Sequence, residues 1–492
     1  MSDYPYDLII GLETHVQLQT KTKLFCRCSA KFGADPNTQT CPVCIGLPGS
    51  LPVMNREAFR LALRTAIALN CEIPEFTKWD RKNYYYPDLP KGYQISQYDL
   101  PMSQNGWLDI HDPKGEFEPK RIGIIRAHLE EDAGKSLHDE AHGKSDTRID
   151  LNRTGTPLLE IVSQPDMRSP KEARAYLTEL KLLLTYLEVS DCNMQEGSLR
   201  VDANVNLHIH TPEGKIATPI VEIKNLNSFR FIERALAYEA QRQYKLWQET
   251  KQHIKSPGAF KQTRGWDDAK GMTLTQREKE DSADYRYFPD PDLAPVITPK
   301  AETEKVRSSL CELPAAIRQR LEGTYGVTAY DSDVIVIQGR PLVDYFEEVA
   351  KTAGDGKKAA NWVTQEVLRV LNEQGGDIQS FRLRPPALAE LVKLVVAGDI
   401  EITRAKEVFN DMVANNRTAP QSMQALGIQK VDLSELEAIC KKLVAANPKI
   451  VADVKSGKVQ AIGSLLGQAK KRNPNANPND VRRICLELIE KM

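Results

Sequence analysis

Four cysteines carry the sharpest chemical signal in the chain. Cys26, Cys28, Cys41 and Cys44 form two close pairs separated by a loop. Such pairs bring four thiolates together with little chain strain, and a tetrahedral Zn2+ takes four of them at about 2.3 Å. The alternatives are two disulfides or four unrelated thiols. Disulfides are disfavoured, because Cys71, Cys192, Cys311, Cys440 and Cys485 are scattered singly and the opening MSDYPYDL has no secretory pattern. Four protein ligands leave no open position for a reacting water, so the expected zinc is structural.

The next chemical group sits just upstream. In GLETHVQLQ, Leu12, Thr14, Val16 and Leu18 alternate with Glu13, His15, Gln17 and Gln19, the period of a half-buried strand. Its polar face carries a carboxylate and an imidazole side by side. Further along, RIGIIRAHLEED ends in Glu130 and Glu131. Adjacent residues on a strand face opposite ways, so only one of the two can join a given site. Glu160 stands inside the apolar run Leu158, Leu159, Ile161 and Val162, where an ionised carboxylate is costly unless a metal, a cation or a polar cleft compensates it. An ordinary structural ion pair is the competing explanation.

The stretch DRKNYYYPDLPKGYQISQYD interleaves Tyr84, Tyr85, Tyr86, Tyr93 and Tyr98 with Arg81, Lys82 and Lys91. That mixture suits stacking on bases and pairing with phosphates, although a tyrosine-rich loop packed on a sheet has the same composition. A phosphate loop is excluded at DAGKS. Leu129 occupies the position five residues before Gly134 where glycine is required, and Gly143-Lys144-Ser145 fails the same test.

These groups need elements to hold them. Strands are expected around residues 9–19, 121–132, 153–166 and 197–210, and helices over 56–70, from Ser169-Pro170-Lys171-Glu172 (a capping box) and after Ser228 (an N-cap). The segment GWDDAKGMTLTQREKEDSADYRYFPDPDLAPV reads as a loop closing the first half. From about Thr298 the pattern is almost purely helical, which makes the fold class α+β. Length suggests about three domains, and the shifts in composition and pattern set them at 1–295, 296–401 and 402–492. A net charge of −1 argues against an overall basic nucleic-acid binder, but Cys440–Met492 holds eleven Lys and Arg against four Asp and Glu. That tail is either an RNA contact or a solvated helical surface. No apolar run reaches the roughly 18 residues of a membrane span, so no membrane is expected and the cytoplasm is the default.

Together, GLETHVQL, the Cys26–Cys44 knuckle, DRKNYYYPDLPKGYQISQ, HLEEDAGKS, NRTGTPLLEIVS, KNLNSFRFIERAL, DYRYFPDPDL and GSLLGQAKK resemble the B subunit of tRNA-dependent amidotransferase, the GatB family. The resemblance runs in register over the whole chain. It implies a cradle-shaped catalytic α+β domain, a helical domain and a small tail domain touching tRNA, and a heterotrimer with an amidase subunit (GatA) and a small subunit (GatC). It further implies ATP-dependent phosphorylation of the side-chain carboxylate of Glu-tRNA(Gln) or Asp-tRNA(Asn), followed by amidation with ammonia from the amidase. The resemblance places the Mg2+ (or Mn2+) site on Glu13, His15, Glu131 and Glu160, with Lys82, and Arg81 beside it, toward the nucleotide.

The residues agree with that division of labour. Phosphorylating a carboxylate brings two anions together, so a cation and a lysine must offset their repulsion. No G-x-S-x-G elbow and no recognisable cysteine nucleophile motif occurs for generating ammonia. Two other readings are a non-catalytic scaffold that binds tRNA and tethers an amidase, and a self-sufficient acid–amine ligase using free ammonia.

Overall fold

Strand Tyr6–Gln17 forms where the alternation predicts it and lies inside a nine-stranded sheet. The structure, a computed structural model, describes residues 4–138, 147–257, 259–278, 285–429, 433–473 and 476–491. Gly143-Lys144-Ser145, residues 279–284 of the expected loop and residues 474–475 of the Asn/Pro linker lie outside them. Two compact units divide the chain, Met1–Pro314 and Ala315–Met492. The first continues past the expected boundary at 295, because Val306, Leu310 and Leu313 pack against its core.

Across the sheet the strands run Met272–Glu278, Gln262–Asp267, Val221–Lys224, Leu199–Thr211, Tyr6–Gln17, Pro157–Ser163, Lys120–Glu131 and Gln104–Ile110, with Gly214–Ala217 added beside Leu199–Thr211. Among the described strands only Val221–Lys224 and Gln262–Asp267 pair in parallel. A parallel pair needs a long crossover, and helix Phe229–Thr250 supplies it. The two strands at that edge, Gln262–Asp267 and Met272–Glu278, correct the loop expected from Gly265 onward. Alternation in TRGWD and MTLTQRE is masked by the charged turn between them, which reads as loop composition.

Period two sorts the sheet's faces. Leu12, Val16, Ala127, Leu129, Leu159, Ile161, Val201 and Ala203 are buried in a core shared with helices Arg56–Ala68, Pro170–Tyr186 and Phe229–Thr250. Those helices start where expected. Asn55 accepts from the Glu57 and Ala58 amides, Ser169 from Glu172, and Ser228 from Phe231. Glu172 does not close the capping box on Ser169; it accepts from the Arg168 amide and from Lys120. The opposite face of the sheet is left to polar residues.

Among the described residues three smaller pairings stand beside this sheet, one of them the hairpin of Lys135–His138 with Thr147–Asp150. Asp80–Asn83 sits between Tyr93–Ser96 and Phe288–Pro289, so part of the tyrosine-rich stretch is a strand. Phe76–Thr77 pairs with Val296–Ile297.

The second unit is helical from Pro314–Tyr325 to Pro478–Glu490. Helix Ile402–Asn415 packs with Pro385–Val396 and Ala419–Ala425, while a separate apolar core built on Leu436, Leu443, Leu465, Cys485 and Ile489 begins further along. Within this unit that last apolar cluster draws its buried residues from Leu436 onward.

Strand Gln104–Ile110 approaches the end of helix Arg56–Ala68 closely enough to require glycine at 106. A Cβ there would lie 2.4 Å from Cys71 Sγ and 2.6 Å from the Leu69 carbonyl. Gly106→Ala is expected to cost about 1–3 kcal/mol, as overpacking does, in urea unfolding of the purified protein. Unchanged stability would mean that this edge strand shifts without resistance.

Candidate active-site cleft and zinc knuckle

Strand register assembles the polar face. His15 pairs with Arg200 on one side and with Glu160 on the other, and Glu160 pairs in turn with His128. Arg200, His15, Glu160 and His128 thus form one row across four strands. Two residues on from His128, Glu130 projects from the same face. His15 Nε2 lies 3.6 Å from Glu160 Oε2 and 4.0 Å from Glu130 Oε1; His128 Nε2 lies 3.6 Å and 3.9 Å from the same two carboxylates.

His15, Glu130 and Glu160 bring one ligand atom each within 4.8 Å of one another. The electrostatics suit a cation. Burial and the neighbouring Glu160 push the Glu130 carboxyl up. Burial would raise Glu160 as well, but His128, His15 and Lys82 overcome it and hold this carboxyl below the usual range. Burial alone would lower His15; Glu160 and Glu130 instead raise it to about 9. Burial pushes His128 down to about 4, despite Glu160. Two buried carboxylates that cannot both ionise comfortably, beside an imidazole that could exchange its proton for a metal, are a donor set for a divalent ion.

Lys82 and Tyr84 stand across the cleft, whose volume is about 390 Å³ and whose other walls include Asp132, Arg200, Asp202 and Lys224. Lys82 is raised because the charges of Glu130, Tyr287 and Glu160 outweigh its burial. Its Nζ lies 4.9 Å from the Tyr285 ring and 5.9 Å from that of Tyr84. Behind the row, Asp132 accepts from Gln17 (2.8 Å) and Arg200 (2.7 Å) and is held low, chiefly by Arg200 and Arg153 against its burial.

Three residues expected at this site stand elsewhere. Glu131 faces the opposite way from Glu130, accepting from Lys91 and from the Ile95 amide at 2.9 Å, and is absent from the ligand cluster. The carboxylate that joins His15 and Glu160 is Glu130, as period two requires. Glu13 shares the polar face but lies one pair further along, accepting from Asn204 at 2.8 Å. Arg81 points away from Lys82 into Asp290 (2.7 Å) and Asp292 (2.9 Å). Sequence reasoning weighed Glu130 against Glu131 without choosing it, and passed over His128. The signal was present, since His128 and Glu130 alternate with the apolar Ala127 and Leu129.

The four cysteines converge as expected. Cys44 Sγ lies 3.5 Å from Cys26, 3.7 Å from Cys41 and 3.8 Å from Cys28, and all four are free thiols. Four sulfurs around one tetrahedral zinc stand about 3.8 Å apart, so the spacing fits Zn2+ and excludes disulfides. Lys23, wholly buried, donates to the Gln39 carbonyl (2.7 Å) and to Cys44 Sγ (3.4 Å). Hydrogen bonding from Cys26, and the Lys23 charge, lower the Cys44 thiol to about 4 despite burial. The lysine offsets part of the negative charge that four thiolates leave on a divalent ion.

Fold and site define a class: a sheet-based catalytic domain with a buried carboxylate–imidazole centre and a cysteine-held knuckle, followed by a helical unit. The family model described as the GatB/GatE catalytic domain matches residues 8–304, and the one described as the GatB domain matches 344–489. The B subunit of the aspartyl/glutamyl-tRNA(Asn/Gln) amidotransferase of Rhodopirellula baltica is 59% identical over 99% of this chain and 98% of its own length. The proteins of that name from Carboxydothermus hydrogenoformans and Moorella thermoacetica are each 46% identical, over 99% and 98% of this chain and 99% and 100% of their own lengths. The chain belongs to the GatB family, as a subunit of an aminoacyl-tRNA amidotransferase. Among the described residues no helix is long and apolar enough to cross a membrane.

Two outcomes follow from this geometry. Purified protein should carry one zinc per chain, and Cys41→Ser should lose the metal and melt earlier, since structural zinc contributes on the order of 10 kcal/mol to a small site. Metal-free protein with normal melting would remove the knuckle. His15 is raised from 6.5 to about 9 in the metal-free fold, so its stabilising charge is fully present below about pH 6.5 and lost as pH rises through about 9. Denaturant titrations of the metal-free protein should therefore show stability falling across that window, and His15→Gln should remove this part of the slope. An unchanged slope would mean that Glu160 and Glu130 do not hold a proton on His15.

Proposed function

We propose that the cleft phosphorylates the side-chain carboxylate of Glu-tRNA(Gln) or Asp-tRNA(Asn) with ATP and then passes the activated acyl group to ammonia. The observation that carries this reading is the convergence of His15, Glu130 and Glu160 opposite Lys82 in a chain so similar to amidotransferase B subunits. Glu130, Glu160 and His15 would hold the divalent ion, Mg2+ or Mn2+; bound there, it would neutralise charge on the transferring phosphoryl group. An imidazole among the donors favours manganese over magnesium.

The chain's own residues do the rest. Lys82, walled by Tyr84 and Tyr285, places a positive charge where phosphoryl oxygens would gather. The attacking carboxylate is already ionised at neutral pH, so it needs no general base. Arg200 is fixed by Asp132 and can orient an anionic substrate group beside His15. Ammonia would come from an amidase partner, GatA, with GatC as the small third subunit. The basic tail, where Lys470, Lys471 and Arg472 end one helix, would add phosphate contacts to the tRNA.

Glu130→Gln and Glu160→Gln remove charge while keeping size. Each should reduce ADP release with mischarged tRNA by about a hundredfold or more, as loss of one strong electrostatic stabiliser does. Glu131→Gln should instead destabilise the fold, leaving turnover per folded molecule within a few-fold. Near wild-type ADP release from the Glu130 and Glu160 variants would favour the scaffold reading.

A further inference from the structure

A second groove, about 490 Å³, adjoins the catalytic cleft and shares Arg200 and Asn227 with it. It extends from Arg200 to the loop between the two thiol pairs, and Lys31, Phe32, Gly33, Lys135 and Arg153 are among the residues that line it. Phe32 is 65% exposed, an unusual place for a phenylalanine in a loop this firmly held. Cys28 and Cys41 flank the loop. Asn37 donates to the Ile149 carbonyl at 2.9 Å and accepts from the Leu151 amide at 2.8 Å; Asn152 donates to the Asp35 carbonyl at 2.7 Å and accepts from the Gln39 amide at 2.8 Å. The ring is thus presented on a braced platform.

Charge in the groove is divided between engaged and unengaged groups. Arg153 donates to the Ala133 and Gly134 carbonyls, Arg200 is paired with Asp132, and Asp150 accepts from the Asn37 and Asn152 amides. Lys31 and Lys135 have no ion-pair partner among the described residues, and Glu196 is the remaining acid on the lining. A braced, exposed ring in a groove that also holds two ammonium groups without ion-pair partners suits a chain of stackable bases and phosphates.

We infer that this groove binds the unpaired 3′-terminal nucleotides of the aminoacylated RNA, one base stacking on Phe32 and the backbone phosphates meeting Lys31 and Lys135, so that the attached amino acid reaches past Arg200 to the row of His15 and Glu160. The inference rests on the proposed amidotransferase reaction. It gives the zinc knuckle a task, holding a stacking platform at a fixed distance from the reacting carboxylate.

The test uses the assembled amidotransferase with mischarged tRNA and with a short 3′-aminoacylated acceptor-stem RNA. Phe32→Ala should raise KM for both about tenfold, the scale of one lost stacked base, with kcat within about twofold and zinc content unchanged. Phe32→Trp should restore KM, whereas Phe32→Leu, apolar but without a π face, should not. The double variant Lys31→Ala, Lys135→Ala should flatten the salt dependence of log KM by about 1.4, roughly 0.7 for each single-strand phosphate contact. A benzophenone side chain carried at position 32 should crosslink to the last few 3′ nucleotides. Unchanged KM in the Phe32 and lysine variants, recovery by Phe32→Leu, or crosslinking to a partner polypeptide instead of the RNA end would overturn the inference. Glu130→Gln serves as the control: full activity in that variant would fell the proposed reaction, while the crosslink still reports where the RNA end lies.

Discussion

The cleft depends on the register of strand Tyr6–Gln17 between its two neighbours. That register sets His15 between Arg200 and Glu160, and the next pairing adds His128. A slip of one residue would turn His15 into the helical core and bring Val16 onto the polar face. The apolar side enforces the alignment, because Leu12, Val16, Leu159 and Val201 can be buried together in one register only. The chemistry of the cleft is therefore held by hydrophobic packing on the far side of the sheet. Two carboxylates and two imidazoles are crowded together in a buried cluster where burial and Glu160 push the Glu130 carboxyl up, and a divalent ion would let both carboxylates ionise.

The surroundings extend this constraint outward. Asp132 ties Gln17 to Arg200, and its backbone exchanges bonds with Thr156 and Gly155. Gly155 accepts from Leu24, next to Lys23, which donates to Cys44. The knuckle and the cleft are thus successive stations of one hydrogen-bonded path. On the other face, Glu131 and Lys91 pin the Tyr93–Ser96 strand, which lies beside the strand carrying Lys82. Neighbouring glutamates at 130 and 131 so face different ways, one into the His15–Glu160 cluster and one into the bonds that hold the Tyr93–Ser96 strand.

Much of this was legible from residue order. Alternation located strand Tyr6–Gln17 and its polar face, thiol spacing located the knuckle, and caps at Ser169 and Ser228 located two helices. That Glu130 rather than Glu131 shares a face with His15 and Glu160 was also legible, since His128 and Glu130 share a parity opposite to the apolar Ala127 and Leu129, whereas the family resemblance pointed to Glu131. What order alone could not supply was pairing. Arg200 joins the site because residue 200 happens to register with residue 15, and no local pattern encodes a contact across that separation. Arg81 and Lys82 share a basic dipeptide, yet one is neutralised by Asp290 and Asp292, which lie some two hundred residues away in sequence. The hairpin at the sheet edge was hidden for a different reason: its turn is rich in charge and glycine, and that composition dominated the short strands beside it.

Placement of the ion on the His15–Glu130–Glu160 face is the central claim. Electron spin resonance of Mn2+ added to zinc-loaded protein tests it without relying on turnover. One bound Mn2+ is expected, whose spin-echo modulation contains imidazole nitrogen that is lost in His15→Gln, with binding abolished by Glu130→Gln and retained by Glu131→Gln. Binding that survives Glu130→Gln but fails in Glu131→Gln would place the ion on the other side of the strand and contradict the claim.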